Sequence, residues 1–399
     1  MNLTTLLRTF GEKKSLFVLL AISSLLKIFY AVSRNVFPSG PDANGYIPFA
    51  QDFATQNFFS SDIAGPPYYP SGYPFILSLI MRFGGDYAIQ IIQAVQILTF
   101  SVAAYFYFIL IKNRFSSSAA WLAFLFLAFN PAWAVVNGEA MYESFFVSFL
   151  LFSTSFLSSM VNQKSKSSIK LTIWTGALCG ITIVIHPRAL LIYGILFLFL
   201  LYSRSFSRTS GIVFLGSTVA LPAIFAIRNL IAENSLSLMS SFWDGETYNA
   251  FLNGCASLSC ATIRVAANPT GFVFQIYLNA IRFWSPHSGP LERGTWLHNV
   301  SLLSLLNKIG FQGFSIWLSV VTSLLIFLSW LIGSWRLCLK NFEFGLLFLL
   351  ISLSIWVTDI LVYGENRHRL IALVFMLPAH AEFLVLLYSK FESWKRREL

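Results

Sequence analysis

The feature that most constrains this chain is the recurrence of apolar runs close to the length a helix needs to cross a bilayer. At 1.5 Å per residue, about 20 apolar residues span the roughly 30 Å of hydrocarbon. Such runs fall near 15–33, 87–111, 118–136, 140–160, 170–186, 189–203, 211–229, 311–334, 343–362 and 370–388. Composition agrees, since charged residues are 11% of the chain where soluble domains carry about 25%. Mean hydropathy is +0.68. The expected fold class is all-α, a polytopic transmembrane helical bundle of about 10 spans. The first run, Leu16–Val32, lacks a small-residue cleavage site and carries Lys27, so it reads as a retained span.

The net charge of +10 is informative by position. With the N-terminus in the cytoplasm, 16 Lys/Arg lie in the short inner segments or at their boundaries and 10 lie outside. That bias follows the positive-inside rule, with some attraction to anionic membrane lipids. Nucleic acid is not an expected partner. The acids run the other way, with 12 of 17 outside or at outer helix ends. Either chemistry on the outer face or solvation of the loops accounts for them.

Three sequence regions follow: an N-terminal transmembrane module (1–229), an extracytoplasmic loop or cap (230–310) and C-terminal transmembrane helices (311–399). The first outer segment, 34–86, is too polar and proline-rich to span. Within it, Gly45–Asn57 has the spacing of an amphipathic interfacial helix. Residues 73–84 are apolar but too short to cross, which suits an interfacial or re-entrant helix. Cys255 and Cys260 share the cap, where an oxidising compartment permits a disulfide; free thiols are the alternative.

Candidate chemistry gathers at the outer ends of the spans. Asp42, in "PSGPDANGY", is either the cap of a helix beginning near Gly45 or a carboxylate placed to take a proton from an approaching hydroxyl. Glu139 and Glu143, in "NGEAMYESFF", are four apart at the start of a span and are expected to share one helix face. They serve either helix-end stabilisation or substrate hydrogen bonding. Arg188 in "HPRALL", Arg228 in "AIRN", and Arg367, His368 and Arg369 in "GENRHRL" are cations on the side the bias disfavours. Snorkelling explains one such residue; several together suit an anionic headgroup. No zinc-protease, paired-cysteine or nucleotide-loop motif occurs. The inner loops are short, so an activated donor is expected from the lipid. No cofactor is expected beyond that donor, and a divalent metal stays open.

In this order the pieces resemble the GT-C superfamily of membrane glycosyltransferases, in the branch of the protein O-mannosyltransferases and the lipid A aminoarabinose transferases. The resemblance rests on the Asp42 loop, "YPSGYPFILSLI" (69–80), "NGEAMYESFF", "HPRALL", the Arg228-Asn229 exit into the cap and "GENRHRLIALVF". It implies an inverting transfer of a sugar from a polyprenyl-phosphate-linked donor to a glycan, lipid or protein acceptor. It further implies Asp42 as general base and cations holding the leaving phosphate. Tyr46, Tyr69 and Tyr73 join Glu139, Glu143, Arg188, Arg228, Arg367, His368 and Arg369 as candidate substrate-binding residues. Two departures stand out: Ala43 follows Asp42 where many relatives have Glu, and His-Pro-Arg replaces Arg-Pro. The expected location is the plasma (inner) membrane, with the active site on the extracytoplasmic side. A lipid-linked glycan transporter or flippase, or a glycan polymerase or ligase, is the alternative reading.

Overall fold

A computed structural model of the chain describes residues 3–33, 41–63, 70–139, 141–162, 168–203, 207–233, 258–284, 312–360 and 369–398. Regular structure among them is helical throughout: α1 (Leu3–Ser33), α2 (Pro41–Thr55), α3 (Gly72–Gly84), a 3-10 turn (Gly85–Tyr87), α4 (Ala88–Arg114), α5 (Ser117–Ala128), α6 (Pro131–Gly138), α7 (Tyr142–Asn162), α8 (Ile169–Ile185), α9 (Ala189–Tyr202), α10 (Arg208–Glu233), α11 (Leu258–Ala267), α12 (Pro269–Trp284), α13 (Gln312–Lys340), α14 (Phe342–Thr358) and α15 (Arg369–Glu398).

Among the described residues each expected apolar run coincides with a helix, except that near 118–136, which is two. By length and composition, five segments among the described residues can cross a membrane: Gly11–Ser33, Gly72–Arg114, Tyr142–Val161, Arg208–Ala232 and Leu370–Arg396. α5 and α6 form a sixth if counted as one span bent by 47°, and α8, α9 and α14 are shorter apolar helices. Two expectations change in detail. Residues 73–84 are joined to the next run through the 3-10 turn alone, giving one apolar segment Gly72–Arg114. The run near 118–136 is broken, because Pro131 opens a new helix and Asn130 caps it by accepting from the Ala132 N–H at 3.0 Å. The freed Ala128 carbonyl at this break accepts from Lys27 Nζ at 2.7 Å and from Ser23 Oγ at 2.6 Å. The charge inside the first span is thereby spent on a helix end.

Packing divides the chain into two compact units. The first comprises Met1–Leu110, Phe124–Pro187 and Ser205–Leu238. Its most extensive seam is between α8 and α10: a Cβ placed on Gly176 would meet the Phe214 carbonyl at 2.8 Å, and one on Gly180 would meet the Thr218 carbonyl at 2.7 Å. These glycines, four apart, let two apolar helices approach backbone to backbone. α1 packs on α6, α2 on α3, and α7 on α8.

The second unit comprises Ile111–Ala123, Arg188–Arg204 and Met239–Leu399. Here α13, α14 and α15 pack on one another, with α9 on α14. Buried Glu382 of α15 pairs with Lys340 of α13 at 2.7 Å and accepts from Ser116 Oγ at 3.0 Å. In the region expected as the cap, Asn268 caps α12 by accepting from the Gly271 N–H at 2.9 Å. Cys260 in α11 is disulfide-bonded, while Cys179 and Cys338 form no disulfide; Cys255 lies outside the described residues.

Candidate active site

The site is built outward from the start of α2. Pro41 occupies the first helical position, where its missing N–H leaves nothing unsatisfied and its fixed φ favours the helix. Asp42 is therefore the second residue of the helix, and the expected start near Gly45 is corrected by one turn.

Tyr46 stands one turn further along the same helix face and is 2% exposed. Its ring meets Tyr73 edge-on, with centroids 4.9 Å apart and planes at 85°, and meets Tyr142 at 6.3 Å. Tyr73, in the first turn of α3, donates through its hydroxyl to Gln96 Oε1 of α4 at 2.9 Å. Tyr142, the first residue of α7, lies against the His186 ring at 4.9 Å and 25°. His186 is extended and ends α8, so it interrupts the apolar run as expected. Gly72 completes the junction, since a Cβ there would collide with the Val184 carbonyl of α8. Four elements thus meet at one aromatic cluster beside the N-terminus of α2. Such ring pairs contribute about 0.5–1.5 kcal/mol each beyond burial.

The two glutamates part company here. α6 ends at Gly138 and α7 begins at Tyr142, so Glu139 and Glu143 do not share a helix, and the expectation of one common face is corrected. The cause is local: Gln93 Nε2 donates to the Gly138 carbonyl at 2.8 Å and Gln96 Nε2 to the Asn137 carbonyl at 3.2 Å. These bonds satisfy the last carbonyls of α6 and stabilise the break. Half-buried Glu139 caps α6 with its backbone N–H on the Val135 carbonyl, while Glu143 lies fully buried in the first turn of α7. Ser144 Oγ donates to Asn137 Oδ1 at 2.6 Å and ties the two helices together. The sequence reading missed Gln93, Gln96 and Asn137. Their signal was amide side chains inside apolar runs.

Arg228 is fully buried near the end of α10. Its Nε donates to the Phe58 carbonyl and its Nη2 to the Ile63 carbonyl, both at 3.2 Å, and its Nη1 to Asn229 Oδ1 at 2.9 Å. It holds the segment that follows α2. Arg188 is buried at the start of α9, and Arg369 is the first residue of α15; both belong to the second unit. Tyr69, Arg367 and His368 lie outside the described residues. Among the described residues no group of three or more His, Cys, Asp or Glu is placed to hold a metal ion.

Residues 69–227 match the family model described as dolichyl-phosphate-mannose-protein mannosyltransferase. No curated protein matches the chain. Among solved structures, the apo oligosaccharyltransferase of Archaeoglobus fulgidus is similar with a TM-score of 0.54 at 13% identity, over 96% of this chain and 52% of that one. The oligosaccharyltransferase AglB from Archaeoglobus fulgidus, in complex with an inhibitory peptide and a dolichol-phosphate, gives 0.52 at 14%, over 97% and 52%. ArnT from Cupriavidus metallidurans bound to undecaprenyl phosphate gives 0.51 at 14%, over 92% and 59%. The chain spans about half the length of the archaeal structures. At these identities the likeness is one of fold. The family match covers most of α3–α10, and the likeness in fold runs over nearly the whole chain.

Proposed function

We propose that the protein transfers a sugar from a polyprenyl-phosphate-linked donor to an acceptor hydroxyl, with inversion, on the extracytoplasmic face of the membrane. Asp42 is the general base. It takes the acceptor proton as the acceptor oxygen attacks the anomeric carbon from the face opposite the phosphate. The bond from that carbon to the phosphate oxygen breaks, and its electron pair leaves with the polyprenyl phosphate. A phosphate is already a good leaving group, so no dedicated acid is needed. Arg367, His368 and Arg369, with Arg188, would hold its charge through the transition state. Glu139 and Glu143, with Tyr69, would bind sugar hydroxyls. Tyr46 and Tyr73 position Asp42, and Arg228 acts through the loop it pins.

The family match over 69–227 carries the reaction class. The place of Asp42 in the first turn of α2, one turn from the aromatic cluster, supports its role. The inside bias of Lys/Arg supports the sidedness. Two of the similar structures hold dolichol-phosphate and undecaprenyl phosphate, which supports the donor class.

The test is release of polyprenyl phosphate by purified protein in vesicles, given polyprenyl-phosphate mannose as the first donor and a membrane extract as acceptor. Asp42→Asn should lower turnover by about 10²–10⁴ with donor affinity kept, as expected for a lost general base. Unchanged turnover removes Asp42 from the reaction.

A further inference from the structure

At the opposite end of α2 from Asp42, about 20 Å along the helix, the first unit holds a second site. A cavity of about 740 Å³ opens between the end of α2, α3 and α10. That volume is in the range of small-molecule sites. Its floor is aromatic: Phe58 meets Phe75 at 5.3 Å and Phe225 at 5.3 Å. The Phe58 backbone is held by buried Arg228, so the floor is fixed.

The two walls decide what kind of ligand can enter. Leu79 on α3 and Ile224 on α10 line the cavity yet are 43% and 47% exposed. Exposed Phe83 and Ile227 continue the same apolar surfaces. Both walls belong to segments long and apolar enough to cross the membrane, so the opening faces lipid. The polar end is equally specific. Arg82 lines the cavity, is exposed, and gives one N–H to the Phe53 carbonyl at 2.7 Å. Among the described residues no carboxylate forms an ion pair with it. A guanidinium carries five N–H donors, so donors remain for a phosphate. Gln56 lines the same cavity, and its Oε1 is buried with no hydrogen-bond partner. An acceptor in that state needs an incoming O–H or N–H.

We propose that this cavity is a phospholipid site, distinct from the sugar-transfer site. One acyl chain lies between α3 and α10 over the phenylalanine floor, the headgroup phosphate meets Arg82, and a headgroup hydroxyl or ammonium donates to Gln56. A polyprenyl phosphate shares the chain and the phosphate but has no such headgroup donor.

The test uses the full-length protein in phosphatidylcholine vesicles containing a few per cent of phosphatidylglycerol with a diazirine in its acyl chain. After irradiation and digestion, adducts should concentrate on Phe75, Leu79, Leu221 and Phe225. Leu79→Trp and Ile224→Trp, each filling the cavity from a lipid-facing position, should cut those adducts at least fivefold with Tm unchanged. Arg82→Gln should cut labelling by the phospholipid several-fold while leaving labelling by a diazirine fatty alcohol unaltered. Adducts spread evenly over lipid-facing residues such as Phe29 and Val32 of α1, and indifferent to Leu79→Trp, would overturn the proposal. Displacement by unlabelled polyprenyl phosphate but not by unlabelled phosphatidylglycerol would also overturn it, giving the cavity to a prenyl lipid instead.

Discussion

Arg228 reaches from α10 to the Phe58 carbonyl at 3.2 Å, a residue 170 positions away in the chain, and clamps the segment after α2. Its Nη2 takes the Ile63 carbonyl as well, and the guanidinium lies 5.3 Å from the Phe53 ring. The side chain is completely buried, so its loss leaves buried carbonyls without donors. Arg228→Met should therefore destabilise the protein by about 3 kcal/mol, seen as a lower Tm in detergent. Arg228→Lys should rescue little, because one ammonium cannot reproduce the spread of the fork. A rise in donor KM with unchanged Tm would instead put Arg228 on the donor phosphate.

Tyr46 is one turn from Asp42 and contacts rings from α3 and α7. If these contacts aim the aspartate, weakening them should reduce turnover without changing donor affinity. Tyr46→Leu is expected to lower kcat by about tenfold, with donor KM and the apparent pKa of the pH profile unaltered. Tyr46→Phe keeps the rings in contact and should restore most of the rate. An equal loss in both variants would assign the role to the hydroxyl.

Much of the architecture was legible because a bilayer leaves little choice: a run of apolar residues becomes a helix at the same place, as at 15–33 and 211–229. The breaks were less legible. Asn130-Pro131 inside an expected span is a cap followed by a proline, a local signal overshadowed by continuous hydropathy. The separation of Glu139 from Glu143 depends on Gln93 and Gln96, some forty residues earlier, which capture the end of α6. No spacing rule links residues so far apart. The start of α2 was misplaced for another reason. Proline breaks a helix in its interior, yet at the first position, where Pro41 stands, it starts one. For the candidate site, the aromatic positions 46 and 73 were legible, but their meeting with Tyr142 and His186 is a product of packing.

The Gly176 and Gly180 pair makes a sharp stability prediction. A β-carbon at Gly180 would come within 2.7 Å of the Thr218 carbonyl and 3.4 Å of Pro222 Cδ, and neither is the end of a flexible side chain. Even Gly180→Ala must push α8 from α10 and should lower Tm by several degrees. Gly216, on α10, has nothing within 4 Å of the same built atom. Gly216→Ala should be neutral or stabilising by up to about 1 kcal/mol, because alanine restricts the unfolded chain and favours the helix. Equal effects at the two positions would show that α8 and α10 do not meet along this seam.

Lys27 offers the most exacting test of the packing in the first unit. Its ammonium and the Ser23 hydroxyl both donate to the Ala128 carbonyl, at 2.7 and 2.6 Å, where α5 gives way to α6. Removing the lysine has two opposed effects. It abolishes the cost of a buried charge, 3% exposed, and it takes one of two donors from a carbonyl that lipid cannot serve. Since Ser23 still satisfies that carbonyl, Lys27→Met should stay within about 1 kcal/mol of the wild type. Ser23→Ala alone should be similarly mild, because Lys27 remains. The double substitution leaves the carbonyl bare at the bend. It should cost at least about 2 kcal/mol more than the sum of the single changes. A double-mutant cycle on thermal or denaturant unfolding in micelles measures this coupling. Simple additivity would mean that the two donors do not share the carbonyl, and that the bend between α5 and α6 is held by other contacts.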